Sequence, residues 1–243
     1  MTLSRSRIEY LTHGWNPVVG CAHWLNPEIC PVGEHCWARQ MAKRFGRSFA
    51  PHIDSNAILH VKPPRAPAVI GVSFVGDLFG EWWDKWNLSE DVLNIVKAYP
   101  QHRFLFLTKN PFGLLKWGVF PGNAYVGVSV CNQKMFNEAI TILDSVRAEH
   151  KWLSFEPLLQ EIIIGGAYTL DGLSWIACGA QTQPNLLPEL SWVKHIVEAA
   201  DKAGANVWLK RNLLDAFPDD LDIRQANRWA MNPFGGLRQE IPW

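Results

Sequence analysis

A chain of 243 residues with 48% apolar and 19% charged residues is long enough for one large α/β domain or two small ones, and its composition excludes a disordered polypeptide. Lys plus Arg and Asp plus Glu balance at 23 each, so the whole chain lacks the positive field of a dedicated nucleic-acid binder and leaves room only for a local patch. Residues 1–10 are polar, no apolar run approaches the roughly 20 residues that span a bilayer, and five cysteines, unevenly clustered, argue against a disulfide framework; the expectation is a soluble, cytosolic protein with reduced thiols and no membrane partner.

Short apolar runs rich in Val, Ile, Phe and Trp recur at residues 13–19, 69–75, 103–108, 124–130, 151–155, 173–178 and 206–209, as buried parallel strands do. Between them lie amphipathic segments at residues 36–45, 89–98, 133–147 and 192–203. The third run leads on from the second of these helices, for which Ser89 is the predicted N-cap, followed by Glu90 and Asp91 in the first turn. Gly204 closes the last helix. The stretch from Lys62 to Pro67 and the stretch from Gln181 to Pro188 read as loops. Strand–helix alternation over the whole length predicts parallel strands with right-handed crossovers in a single domain, 1–243, organised as a partial (β/α)6-type TIM barrel with room for a seventh strand.

Three of the five cysteines, Cys21, Cys30 and Cys36, crowd into the first 40 residues. Three thiolates are one short of the four that fill an Fe–S cluster or a structural zinc site, so such a site leaves one coordination position open for chemistry. Polar residues follow the other strands where a parallel barrel uses them: Asp77, Thr108 and Lys109, Ser129, Glu156, Gln181 and Lys210. All are expected to converge on one rim. Of the 13 tryptophans most are expected in the core; Trp82, Trp83 and Trp86 form a group, and Trp24 and Trp37, beside the cysteines, are the expected exceptions. Lys43, Arg44 and Arg47 cluster, as do Lys62 and Arg65; a solvated helix face is the plain reading of the first group and a nucleic-acid patch the other.

The pattern Trp15-Asn16-Pro17, Gly20-Cys21 and Cys36-Trp37-Ala38-Arg39 resembles the phage Gp37/Gp68 family, a branch of the radical S-adenosylmethionine (SAM) superfamily. The resemblance continues through Asp77-Leu78-Phe79, Phe106 to Pro111, Val126 to Val130, Ser154 to Leu159, Trp175 to Gly179 and Val207 to Lys210, and so covers nearly the whole chain in order. The cysteine spacing departs from it: the superfamily usually carries C-x3-C-x2-C, whereas this chain has C-x8-C-x5-C, with extra residues at 24–28 and about 32–34.

The resemblance implies a radical SAM enzyme of the isomerase or lyase class, active in the cytoplasm (the host's, if phage-encoded). Cys21, Cys30 and Cys36 would ligate a [4Fe–4S] cluster whose fourth iron binds SAM, and reductive cleavage of SAM would give a 5′-deoxyadenosyl radical that abstracts hydrogen from substrate. It would need an external electron donor. For cofactor binding the candidates are His35, Trp37, Asp77, Ser129 and Gln181, with helix capping or turn formation as the alternative for Asp77, Ser129 and Gln181. For substrate or proton handling they are Lys109, Glu156 and Lys210, with an ion pair between Glu156 and one lysine as the alternative. Cys178, at a strand end, is a core residue or a hydrogen-atom donor. The phage association points to a nucleobase-containing substrate, DNA or nucleotide, and to phage DNA hypermodification on a thymine such as an isomerisation. A lyase of the photoproduct-repair kind is the second reading. The third is a zinc-stabilised binding module without catalysis, using the three cysteines and His23 or His35.

Overall fold

The computed structural model describes residues 3–80, 88–217, 227–233 and 236–243. The protein is mixed α/β, and its main sheet has eight strands, mostly parallel; the sheet is not closed. The chain divides into two compact units, Met1–Val128 with Ser145–His150 and Ser129–Asp144 with Lys151–Trp243.

In the first unit β1 (Ser4–Arg5) pairs antiparallel with β2 (His13–Trp15). The run predicted at 13–19 breaks after Trp15, because Pro17 has no N–H to give a continuing ladder. Val18–Val19 then forms a separate strand, β3, antiparallel to β4 (His52–Ile53). Next come α1 (Trp37–Arg44) and α2 (Ser55–Leu59), the latter capped by Asp54, whose Oδ1 accepts from the backbone N–H groups of Asn56 and Ala57. Strand β5 (Val69–Val72) pairs parallel with β2 and with β6 (Arg103–Thr108), which pairs parallel with β7 (Ala124–Ser129). Helix α3 (Leu88–Ala98) precedes β6 and α4 (Pro111–Leu114) follows it. Ser89 is not the N-cap of α3, since Leu88 is already helical; its apolar side chain is buried, and the helix takes it in. The core gathers Trp15, Ile70, Phe104 and Phe106, all fully buried, and Trp15 donates its indole N–H to the Ala57 carbonyl at 2.9 Å.

In the second unit β8 (His150–Phe155), β9 (Trp175–Cys178) and β12 (Asn206–Leu209) run parallel. Strands β10 (Gln181–Thr182) and β11 (Asn185–Leu186) form a small hairpin inside the loop expected from Gln181 onward. Helix α5 (Gln133–Ser145) precedes β8, and α6 (Leu190–Ala203) ends on Gly204 at φ +71°, the left-handed closure that its sequence predicts. Trp152 and Trp175 pack ring against ring at 4.9 Å. Trp82, Trp83 and Trp86 lie outside the described residues. Among the described residues no helix is long and apolar enough to cross a membrane.

Candidate functional site

The cysteine loop is seated by two glycines. Gly20 and Gly76 form a parallel bridge, and the Gly20 N–H donates to the Val75 carbonyl at 3.1 Å. A Cβ on Gly76 would stand 2.6 Å from the Gly20 oxygen, and one on Gly20 would stand 2.5 Å from the Phe49 and Ala50 oxygens. Gly20 also has φ +81°, a conformation that L side chains rarely adopt. Only glycine lets these backbones meet, and their meeting sets the next residues, Cys21 and Asp77, close enough that the Asp77 charge acts on the Cys21 thiol.

Asp77 is a buried hub in the segment that follows β5, next to the Gly76 bridge. Its oxygens accept from Thr108 Oγ1 at 2.8 and 2.9 Å, from the backbone N–H of Phe79 at 2.9 Å and from that of Lys109 at 3.2 Å. His23 Nδ1 lies 3.2 Å from Oδ2. A carboxylate only accepts, so Nδ1 is the protonated ring nitrogen. The carboxylate thereby ties the ends of β5 and β6 to the cysteine loop. Asn110 supports the same corner by donating to the Phe79 carbonyl at 2.9 Å.

The three thiols sense one another: Cys30 and Cys36 both act on Cys21, and Cys36 acts on Cys30. Burial, then the Asp77 charge, pushes the Cys21 thiol well above its ordinary range, while the His23 N–H at 3.3 Å from its sulfur pulls the other way. Burial raises Cys30 as well, opposed chiefly by the positive charge of Lys109. Each gap between the cysteines holds one 3₁₀ turn, His23–Leu25 and Gly33–His35. The donor types, three soft sulfurs in one loop, are those a metal cluster takes, but the N–H on Cys21 and the cation acting on Cys30 only partly offset the burial that raises both thiols. Among the described residues, however, no group of three or more His, Cys, Asp or Glu side chains stands in an arrangement that could hold a metal ion. Metal would have to displace protons from Cys21 and Cys30 and draw the loop together.

His35 is exposed on this loop, and Trp37, the first residue of α1, is half exposed. The first unit therefore brings together Cys21, Cys30, Cys36, Asp77 and Lys109. Thr108 and His23 complete the hub. Thr108 carries only the signal of sitting at a strand end, and His23 that of lying two residues from a cysteine.

The second unit holds its own polar group at the ends of β8, β9 and β12. Lys210 Nζ pairs with Glu156 Oε1, both side chains mostly buried, so the ion-pair alternative for Glu156 is the arrangement found. Ser129 Oγ donates to the Glu156 carbonyl at 3.0 Å, and Gln181 Nε2 to the Pro184 carbonyl at 3.2 Å. Asn212 grips Ala180 on both sides, accepting from its N–H at 3.1 Å and donating to its carbonyl at 2.8 Å. Gly179 underlies the group: a Cβ there would come 3.1 Å from Lys210 Cδ and 3.3 Å from Asn212 Oδ1 and Glu156 Cδ. Sequence reading missed Asn212 and Gly179; the position of Asn212 two residues past Lys210 was the available signal.

Cys178 is fully buried, and burial, with the Glu156 charge second, pushes its thiol up to about 12 from 9.0. Between those values the unfolded chain has lost a proton that the folded chain keeps. Stability is therefore expected to fall as pH rises from 9 to 12, by about 1.4 kcal/mol per pH unit for this thiol. Urea unfolding of wild type and Cys178→Ala across that window checks it: the variant's slope should be shallower by this amount, whatever its baseline stability.

An α/β protein whose three-cysteine loop, with Cys30 buried and Cys21 and Cys36 partly exposed, is seated beside a buried carboxylate that follows a parallel strand is the class that these observations define. The chain belongs to the family described as Protein of unknown function (DUF5131), whose model matches residues 5–213. Neither a curated protein nor a solved structure matches it.

Proposed function

We propose that the protein is a radical SAM enzyme, with a [4Fe–4S] cluster on Cys21, Cys30 and Cys36 and its strands forming the partial barrel of that superfamily. The observation that carries the reading is the seating of the three-cysteine loop on the Gly20–Gly76 bridge, with the His23 backbone N–H 3.3 Å from the Cys21 sulfur and the His23 ring 3.2 Å from Asp77. When bound and reduced, such a cluster supplies the electron that cleaves SAM and starts hydrogen abstraction from a substrate carbon. The chain's own residues do the rest. Asp77 acts as a positioning residue, because its oxygens already hold His23, Thr108 and the Phe79 and Lys109 backbone. Lys109 supplies positive charge to the cysteine loop, and burial excludes water from Cys30. The substrate class is a nucleobase-containing molecule, DNA or nucleotide, and the reaction an isomerisation or related rearrangement on a thymine in phage DNA. Glu156 and Lys210 are the candidates for substrate or proton handling, and Trp37, His35, Ser129 and Gln181 for cofactor contact.

Anaerobic reconstitution with iron and sulfide, reduction, and EPR with and without SAM test the reading. A reduced-cluster signal that changes on SAM addition, with 5′-deoxyadenosine formed, is the expected result; bound zinc with neither signal nor SAM cleavage overturns it in favour of a binding module. Cys30→Ala is expected to bring reconstituted iron down to background, and full cluster content in that variant would remove Cys30 from the ligand set.

A further inference from the structure

Helix α1 shows solvent an apolar stripe that its sequence would ordinarily bury. Trp37, Met41 and Phe45 stand four residues apart, one turn each, and are 49%, 37% and 62% exposed. Leu25, on the adjoining cysteine loop, is 66% exposed. Interleaved with the stripe are Arg39, Lys43, Arg44 and Arg47, and no acidic residue occurs between Glu34 and Asp54. In a chain of zero net charge this segment is a local concentration of positive charge. One guanidinium lies against an aromatic face, Arg39 at 3.9 Å from the Trp24 ring centroid, and those of Arg44 and Arg47 stand over Phe45 at 6.0 and 5.7 Å from its centroid.

From this juxtaposition of exposed aromatics and stacked cations we infer that α1 and the turn after it form a docking surface for single-stranded nucleic acid. Phosphates meet Lys43, Arg44 and Arg47, while unpaired bases stack on the aromatic and guanidinium planes. An acidic protein would satisfy the charge but not the stacked planes, and duplex DNA would satisfy the charge while keeping its bases out of reach. The inference rests on the nucleic-acid reading above for the nature of its ligand, and on nothing about the cluster.

The test is fluorescence anisotropy of a labelled oligothymidylate of about 20 nucleotides, longer than one site, with the full chain purified without iron. With three cations engaged, affinity is expected to fall roughly 20-fold between about 50 and 200 mM salt. Lys43→Glu/Arg44→Glu/Arg47→Glu should weaken binding more than tenfold and flatten the salt dependence, and Phe45→Ala should weaken it roughly tenfold with the salt slope kept. Circular dichroism confirms that the variants are folded. Wild-type affinity in both variants overturns the proposal, as does equal binding of duplex, or competition by polyglutamate of the same charge as effective as that of the oligonucleotide. Self-association that the triple variant abolishes, without oligonucleotide binding, assigns the surface to a second copy and also overturns it. Binding to α1 by a chain that never assembles a cluster would leave the surface standing and overturn the radical reading alone.

Discussion

Asp77→Ala is expected to cost about 3–5 kcal/mol, a large share of a typical domain's stability. The carboxylate is buried and accepts from the Thr108 hydroxyl, two backbone N–H groups and the His23 ring. Deleting it takes this acceptor from all four donors at a largely buried corner, where each lost bond carries a desolvation cost of about 1–3 kcal/mol that relaxation and the donors' other contacts partly recover. Asp77→Asn keeps the shape but turns an amide NH₂ towards donors, so it is expected to recover little of the loss. A second readout separates a structural loss from a local one. The Asp77 charge is one of the causes that raise the Cys21 thiol. In the Asn variant, wherever circular dichroism shows it folded, Cys21 should therefore alkylate faster than in wild type at the same pH. Wild-type stability by urea unfolding, or an unchanged Cys21 rate, would remove Asp77 from the centre of the site.

That hub is the part of the protein least legible from sequence. Strands β6 and β12 fall where their apolar runs begin and end, because a run of Phe and Leu or of Val, Trp and Leu has no other way to be buried. Four of the two-residue strands, β1, β4, β10 and β11, carry too few residues for any period to show, whereas the fifth, β3, lies within the run predicted at 13–19. The thiol group was visible as a spacing, and Asp77, Glu156 and Lys210 as polar residues at strand ends. What no spacing could reveal is which of them meet. His23 and Asp77 are 54 residues apart in the chain, and Asp77 and Thr108 are 31. Their meeting depends on a close backbone approach between two glycines, which leaves no mark in hydrophobic pattern. The stripe on α1 misleads in the opposite sense for two of its members: Trp37 is expected outside the core from its place beside the cysteines, but the period reads Met41 and Phe45 as a buried face, and the structure leaves them 37% and 62% exposed.

If the two glycines seat the site, Gly20→Ala should be among the most damaging single-methyl additions in the chain. Two costs add. At φ +81° an alanine carries left-handed strain of about 1–2 kcal/mol. Its Cβ would also sit 2.5 Å from two backbone oxygens, those of Phe49 and Ala50, which cannot swing aside as a side chain can; overpacking of this kind costs about 1–3 kcal/mol. The expected loss is therefore about 2–5 kcal/mol by urea unfolding. Gly46→Ala is the internal control. Gly46 has φ +61° but nothing within 4 Å of a Cβ, so it bears the strain without the clash and should lose only about 1–2 kcal/mol. The difference between the two variants isolates the contact. The Cys21 N–H donates to that same Phe49 oxygen, so any shift that relieves the clash also moves the first cysteine. Iron uptake on reconstitution should consequently fall in Gly20→Ala and hold in Gly46→Ala, even at a temperature where both are folded. Equal losses in the two variants would mean that the Gly20 approach to the Phe49–Ala50 backbone does not hold the cysteine loop, and that Cys21 is placed by its thiol neighbours instead.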